Sequence, residues 1–498
     1  MIYIGYDIGS SSVKAAVVDA KTGKALAVAT SPSNEMSITA TQPSFAEQNP
    51  EIWWQHLIRA THEVLQNPNV SGEEVKGIGI AYQMHGLVCL DAGHNVLRDA
   101  IIWCDSRAID LGNEAYVGIG AQYCKEHLLN SPGNFTASKL AWVKKQQPEL
   151  YRNIDKVLLP GDYIAFKLTG RVHTTVAGLT EAILWDFTAH QTSKKVLAQF
   201  GFDKDLIPDI VPTFGDQGEV SAQAAHILGL PQGTPILYRA GDQPNNALAL
   251  NVFEPGEIAA TAGTSGVIYA ITDSLKAPEL EKVNSFAHVN HRKDRARIGK
   301  LLNINGAGSA YRWLKNTAQI KSYQEMNALS DLVAIGSDGI CIYPYGNGSE
   351  RMFENKTIGY HMQNAHFNRH DIAHLCRATL EGIAFSFVYG LGLMKQHHIN
   401  PQTIRAGNDN LFQSHVMGTT IATLTGCEIE IYNTTGAIGA ARACTIALLG
   451  YDSFKDFVSQ NDHITTYTPD PDIPPYQQAY DIWLKGLHQL LKTQKQTR

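Results

Sequence analysis

Two short turn clusters, about half a chain apart, limit the folds open to this sequence. Gly9-Ser10-Ser11-Ser12-Val13 recurs as Gly263-Thr264-Ser265-Gly266-Val267. The first lies between the β-rich runs YIGYDI and KAAVVDA, the second between EIAATA and IYAITD. Each reads as a strand, a glycine-hydroxyl turn and a return strand, which is a β-hairpin. A hairpin opening each half of the chain predicts two similar α/β domains, 1–250 and 251–498. Length agrees, because 498 residues exceed what one ordinary core organises. Strand candidates at 77–82, 236–240 and 257–262 alternate with helix candidates at 50–65 and 371–394, as α/β architecture requires. In NPEIWWQHL, Asn49 fits the N-cap and Pro50 the first helical position.

Composition removes several classes of function. The 41 basic and 47 acidic residues balance at −6, with no basic stripe to neutralise nucleic acid or anionic lipid. The start MIYIGYD has no signal-peptide pattern, and no stretch is long enough to cross a bilayer, so a soluble, cytoplasmic protein is expected. Seven scattered cysteines without a C-x-x-C pair predict reduced packing thiols, not a disulfide framework or a structural zinc site.

The chemistry follows if the two turns meet across a cleft. Backbone N–H groups in glycine-permitted turns form anion-binding nests and hydroxyls add donors, so two such turns can hold a triphosphate from opposite sides. Asp7 then suits a Mg²⁺ ion, met through water beside phosphate oxygens. Lys14 places a cation near the transferred phosphoryl group. The acceptor hydroxyl must lose its proton as the bond to phosphorus forms, which calls for a carboxylate at the cleft. Asp242 in YRAGDQPNNALAL, between a strand-like run and a helix, meets that need, although the same place suits a simple N-cap.

With these residues assembled, the chain resembles the FGGY family of carbohydrate kinases, within the actin-like ATPase superfamily, from residue 1 to about 450. DIGSSSVK, AEQNPEIWW, IAYQMHGLVCLD, IIWCDSR, NFTASKLAWV, KVLLPGDYIAFKLTG, AGDQPNNAL, TAGTSGVIY, LCRATLEGIAF and TGAIGAARAC succeed one another in the family's order. The resemblance implies two actin-like (ribonuclease H-like) domains facing across a central catalytic cleft, with ATP and Mg²⁺ as cofactors. It implies Asp242 as general base, and Met84 and His85 of the QMHG string on the sugar, with Trp103, Asp105 and Gln243 beside them. Gly9, Ser10, Ser11, Lys14, Gly263 and Thr264 would hold the phosphates, and Asp7 the metal. Gly306 in NINGAGSAYRWL would lie near the nucleotide, with Gly407 and Asn410 in IRAGNDNLFQS for its adenosine part.

Read as residues alone, His85 fits a satisfied core histidine as well as a cleft-facing strand end, and Trp103 fits core packing as well as a pocket wall. Ser10 stands where a threonine is usual, and Thr175 and Ala177 where many relatives carry Asp and Ser. The activity implied is transfer of the ATP γ-phosphoryl group to the terminal hydroxyl of D-xylulose. Ribulose, another pentulose, gluconate or glycerol are alternatives, and an actin-like or chaperone-like ATPase is the reading from another class. Expected partners are the sugar and ATP, with no nucleic acid, no membrane, and a homodimer admitted.

Overall fold

Both hairpins form, and each seeds a sheet of the same order. A computed structural model describes residues 1–408 and 411–493. Strand β1 (Ile2–Ile8) pairs antiparallel with β2 (Val13–Asp19), and β2 with β3 (Ala25–Ser31). On the other side β4 (Val75–Tyr82) and β5 (Ile236–Gly241) add in parallel, giving the order β5-β4-β1-β2-β3. The second sheet is built from β6 (Glu257–Ala262), β7 (Gly266–Thr272), β8 (Asn284–Ala287), β9 (Ile298–Ile304), β10 (Thr403–Gly407), β11 (Ile429–Tyr432) and β12 (His463–Tyr467). Its order is β8-β9-β7-β6-β10-β11-β12. Without the edge strands β8 and β12 it repeats the first sheet, three antiparallel strands continued by two parallel ones. The expected doubled α/β architecture is therefore present. The last strand of the first sheet and the first of the second lie on either side of residue 250.

Parallel strands covered on both faces must be apolar on both faces, and β1 is buried along nearly its whole length. Helix α1 (Pro50–Leu65) covers one face against β2 and β3. It starts where the sequence predicts, with Pro50 in the first turn and the Asn49 side chain accepting from the Glu51 N–H. Its buried Trp53, Trp54, Leu57 and Val64 each contribute about 1.5–3 kcal/mol relative to exposure. Three further helices bear on the site, α2 (Val176–Glu181), α3 (Asp242–Ala249) and α4 (Ala307–Thr317).

The other face of the first sheet is covered by α5 (Gly436–Leu449), a helix from the far end of the chain. Its backbone lies directly on the strands. A Cβ on Gly5 would fall 2.0 Å from the Ala437 carbonyl oxygen, and one on Gly79 1.9 Å from that of Ala440. Glycine is thus the condition for the helix to seat on the sheet. All seven cysteines are free thiols, six of them buried and Cys104 exposed. Among the described residues no helix is long and apolar enough to cross a membrane.

Candidate active site

The ends of β1, β4 and β5 set the geometry, because parallel strands deliver their C-terminal residues to one edge of a sheet. Asp7 is next to last in β1, His85 follows β4 by three residues, and Asp242 immediately follows β5. Met84, His85, Trp103, Asp242 and Gln243 line one cavity of about 420 Å³ together with Asn134, Phe135, Ser265, Asn284, Asn303 and Arg351. The first half of the chain supplies the expected sugar-side residues except Asp105, and the second half supplies the opposite wall.

Asp242 is the first residue of α3, where the helix dipole favours an anion. Burial nevertheless pushes its carboxyl up, the neighbouring Asp7 carboxylate adds to this, and its pKa reaches about 7. A carboxylate with that value is matched to proton abstraction near neutral pH. Burial raises Asp7 as well, while the Lys14 ammonium opposes the rise. Lys14 sits directly opposite Asp7 in the hairpin register.

His85 takes a left-handed backbone conformation, φ +62°, which for a non-glycine residue marks a constrained site. Its Nδ1 lies 3.0 Å from the Glu181 carbonyl oxygen. A carbonyl only accepts, so Nδ1 carries the hydrogen and Nε2 of the neutral ring is an acceptor. Burial, with Lys139 and Arg351 nearby, lowers its pKa to about 3 and keeps the ring neutral. The ring packs 4.7 Å from Phe135 and 5.2 Å from Phe286. Phe286 comes from the second sheet. Its strand is held across the cleft, where the Ser285 N–H donates to Asn130 Oδ1 at 3.0 Å and the Ala287 N–H to Thr180 Oγ1 at 3.1 Å.

Trp103 is 54% exposed, so the structure decides for the pocket wall over core packing. Its indole N–H donates to Ser10 Oγ at 3.1 Å, joining the sugar side to the first turn. Asp105 does not line the cavity. Its fully buried carboxylate accepts from the Ala46 N–H at 2.6 Å and pairs with Arg107, also at 2.6 Å. Arg107 is stacked 3.5 Å over the Phe45 ring. Asp105 reaches the site indirectly: its carbonyl accepts from the side chain of cavity-lining Asn134, and its charge opposes the burial that drives the pKa of Lys139 down to about 7. Lys139 Nζ in turn donates to the carbonyls of His85 and Ile102 at 2.8 and 2.9 Å. Thr175 caps α2 through Gly178 and Ala177 is buried, and neither lines the cavity.

The first turn closes with the Gly9 N–H donating to the Ser12 carbonyl at 3.0 Å. It is braced by Gln48, which donates to the Ser10 carbonyl at 2.7 Å, and by the Met36 N–H, which donates to that of Ser11 at 2.8 Å. In the second turn, a Cβ on Gly263 would meet nothing within 4 Å, so the turn faces open space. The Thr264 carbonyl accepts the Ser309 N–H at 2.9 Å, fixing the turn to α4. Gly306 precedes α4 and lines a second cavity, also of about 420 Å³, with Ser309, Trp313, Pro344 and Tyr360. Buried Glu350 accepts the N–H groups of Asn305 and Gly306 at 3.0 and 3.1 Å. Gly407 ends β10, and Asn410 lies outside the described residues.

Sequence reasoning assigned no role to Asn134, Phe135, Asn284 or Arg351. Asn134 and Phe135 belong to NFTASKLAWV, a stretch whose order in the chain was informative and whose side-chain directions were not.

Among the described residues no group of three or more His, Cys, Asp or Glu side chains could hold a metal by itself. Asp7 still fits a Mg²⁺ ion of the kind that meets protein through one carboxylate, water and phosphate. Its Oδ2 would lie 2.6 Å from a Cβ on Gly436, so the glycine leaves the carboxylate room.

Comparison with known proteins identifies the family to which this fold belongs. The N-terminal domain of the FGGY family of carbohydrate kinases matches residues 2–249, and the family's C-terminal domain matches residues 258–448. The xylulose kinase of Bacillus subtilis (strain 168) is 28% identical over 96% of this chain and 95% of its own. That of Escherichia coli (strain K12) is 26% identical over 98% and 99%. A crystal structure of a xyloylose kinase from Brucella ovis is 26% identical, with a TM-score of 0.87 over 98% of this chain and 100% of that one.

Proposed function

The chain belongs to the FGGY family of carbohydrate kinases, and on that premise we propose that it phosphorylates D-xylulose on its terminal C5 hydroxyl, with ATP as donor. The observation that carries this reading is Asp242, a half-buried carboxyl with a pKa of about 7 in a sugar-sized cavity lined by both halves of the chain. Relatives named as xylulose kinases support this choice of substrate.

Asp242 accepts the proton of the C5 hydroxyl as that oxygen attacks phosphorus. Met84 and Trp103 flank the carbon chain, and Nε2 of His85 accepts from a sugar hydroxyl. Gly9, Ser10, Ser11 and Lys14 hold the phosphate chain from one side, with Gly263 and Thr264 on the other. Gly306, Gly407 and Asn410 serve the nucleoside end. A Mg²⁺ ion held by Asp7 would neutralise phosphate charge. Exclusion of water by the two walls favours the sugar hydroxyl over hydrolysis.

A coupled assay of ADP release tests the reading against D-xylulose, D-ribulose, gluconate and glycerol. D-Xylulose should give the highest kcat/KM, with little ADP released in its absence. ATP turnover independent of any added sugar would favour the chaperone-like ATPase.

A further inference from the structure

The wall supplied by the second half of the chain contains an unpaired cation. Arg351 lines the cavity that holds Asp242 and His85. Its Nη2 donates to the Leu280 carbonyl at 2.7 Å, which fixes the fork. Its Nε is shut off from solvent and has no hydrogen-bond partner. Among the described residues no carboxylate lies within ion-pair distance of it. The Glu281 carboxylate acts on the guanidinium only from beyond ion-pair distance, so its desolvated donors are left uncompensated. Burial lowers its pKa only to about 10, so it stays charged at neutral pH.

The two walls of the cavity differ. Asp242 belongs to the wall supplied by the first half of the chain, whereas Arg351 belongs to the facing wall from the second half, where its charge is felt by His85. The substrate's chemistry matches this polarity. A 2-ketopentose closes its ring through the C5 hydroxyl onto C2. A molecule whose C5 hydroxyl is free for phosphorylation therefore presents C2 as an open carbonyl at its other end. A charged planar donor suits a carbonyl oxygen better than it suits a hydroxyl, which offers a competing donor of its own.

We propose that Arg351 is a specificity-determining residue that donates to the carbonyl-bearing end of the acceptor, opposite the hydroxyl deprotonated by Asp242, and so selects open-chain keto sugars over polyols. The adjacent Glu350 holds the Asn305 and Gly306 amides, so one dipeptide touches the sugar cavity and the nucleotide side. This inference rests on the sugar-kinase reading above.

The test is steady-state kinetics of wild-type enzyme, Arg351→Gln and Arg351→Lys, with D-xylulose and with D-arabinitol, the polyol made by reducing its C2 carbonyl. Loss of a charge-assisted hydrogen bond should raise the D-xylulose KM of Arg351→Gln by about 10- to 100-fold. The KM values for D-arabinitol and ATP should change little, and Arg351→Lys should lie between Gln and wild type. Equal losses for ketose and polyol, or a raised ATP KM, would overturn the proposal and make Arg351 a support of its loop. Should the Gln variant not fold, the wild-type enzyme decides, since a preference for D-arabinitol over D-xylulose is equally fatal. If wild type prefers gluconate, the D-xylulose reading fails, but a raised gluconate KM in Arg351→Gln still supports the role assigned to Arg351.

Discussion

Asp7 and Asp242 reach the cleft from either side of one residue: Asp7 pairs with Ala81 of β4 across β1, and Ala240, two residues before Asp242, pairs with Ala81 across β5. The two carboxylates therefore leave the same sheet edge two strands apart, close enough for one to raise the pKa of the other. The proposed phosphoryl transfer would use them differently, Asp7 toward the phosphates and Asp242 toward the acceptor.

Replacing Asp242 by Asn keeps the side-chain shape and removes the proton acceptor. The kcat for sugar phosphorylation should fall by about 10²- to 10⁴-fold. ATP affinity, measured by titration calorimetry, should be retained. Near wild-type turnover in this variant would take Asp242 out of the mechanism.

Activity should depend on pH through the same group. Below about pH 7 Asp242 holds its proton and cannot accept another, so kcat/KM for the sugar should rise about tenfold per pH unit on the acid side and level off above about 7, as for loss of one proton. Asp7→Asn removes a neighbouring negative charge. That lowers the Asp242 pKa and should move the acid limb to lower pH, whatever its cost in rate. The sign for stability is opposite to that of a salt-bridged acid. The folded state binds this proton more tightly than the unfolded chain, so fold stability should fall as pH rises from the ordinary carboxylate range to about 7. Asp242→Asn should remove that part of the slope in urea titrations across this range.

Two glycines at the proposed phosphate site separate fold from binding. A Cβ on Gly308 would fall 1.7 Å from the Gly263 carbonyl oxygen, whereas one on Gly263 would meet nothing within 4 Å. Gly308→Ala should cost about 1–3 kcal/mol of stability, seen as a lowered Tm. Gly263→Ala should melt like wild type and show a raised KM for ATP, because its methyl enters the space assigned to phosphate. Identical melting of the two variants would contradict this assignment.

Met84 and His85 should act on the sugar alone. His85→Asn and Met84→Ala are expected to raise the D-xylulose KM by about tenfold or more, the scale of one lost buried hydrogen bond or of lost packing. The KM for ATP should stay near that of wild type. Parallel damage to both substrates would assign His85 to the fold, through its ring contacts with Phe135 and Phe286.

Local signals in the sequence determined the two hairpins, helix α1 with its Asn49 cap, and the strand-to-helix junction carrying Asp242. Turn residues, strand alternation and caps act over a few residues, so they can be read without knowing what packs against them. The repeated turn also made the doubled sheet legible, because a hairpin fixes its own register. Tertiary structure alone decided which way side chains face and which distant segments meet. Asp105 and Trp103 lie two residues apart in the same IIWCDSR stretch, yet one is locked on Arg107 and the other reaches Ser10. Arg351 and Asn284 line the Asp242 cavity from the opposite wall, and α5 returns across the whole chain to cover β1. Those contacts join residues up to several hundred positions apart, and their geometry is set by packing between the two sheets, which no local pattern records.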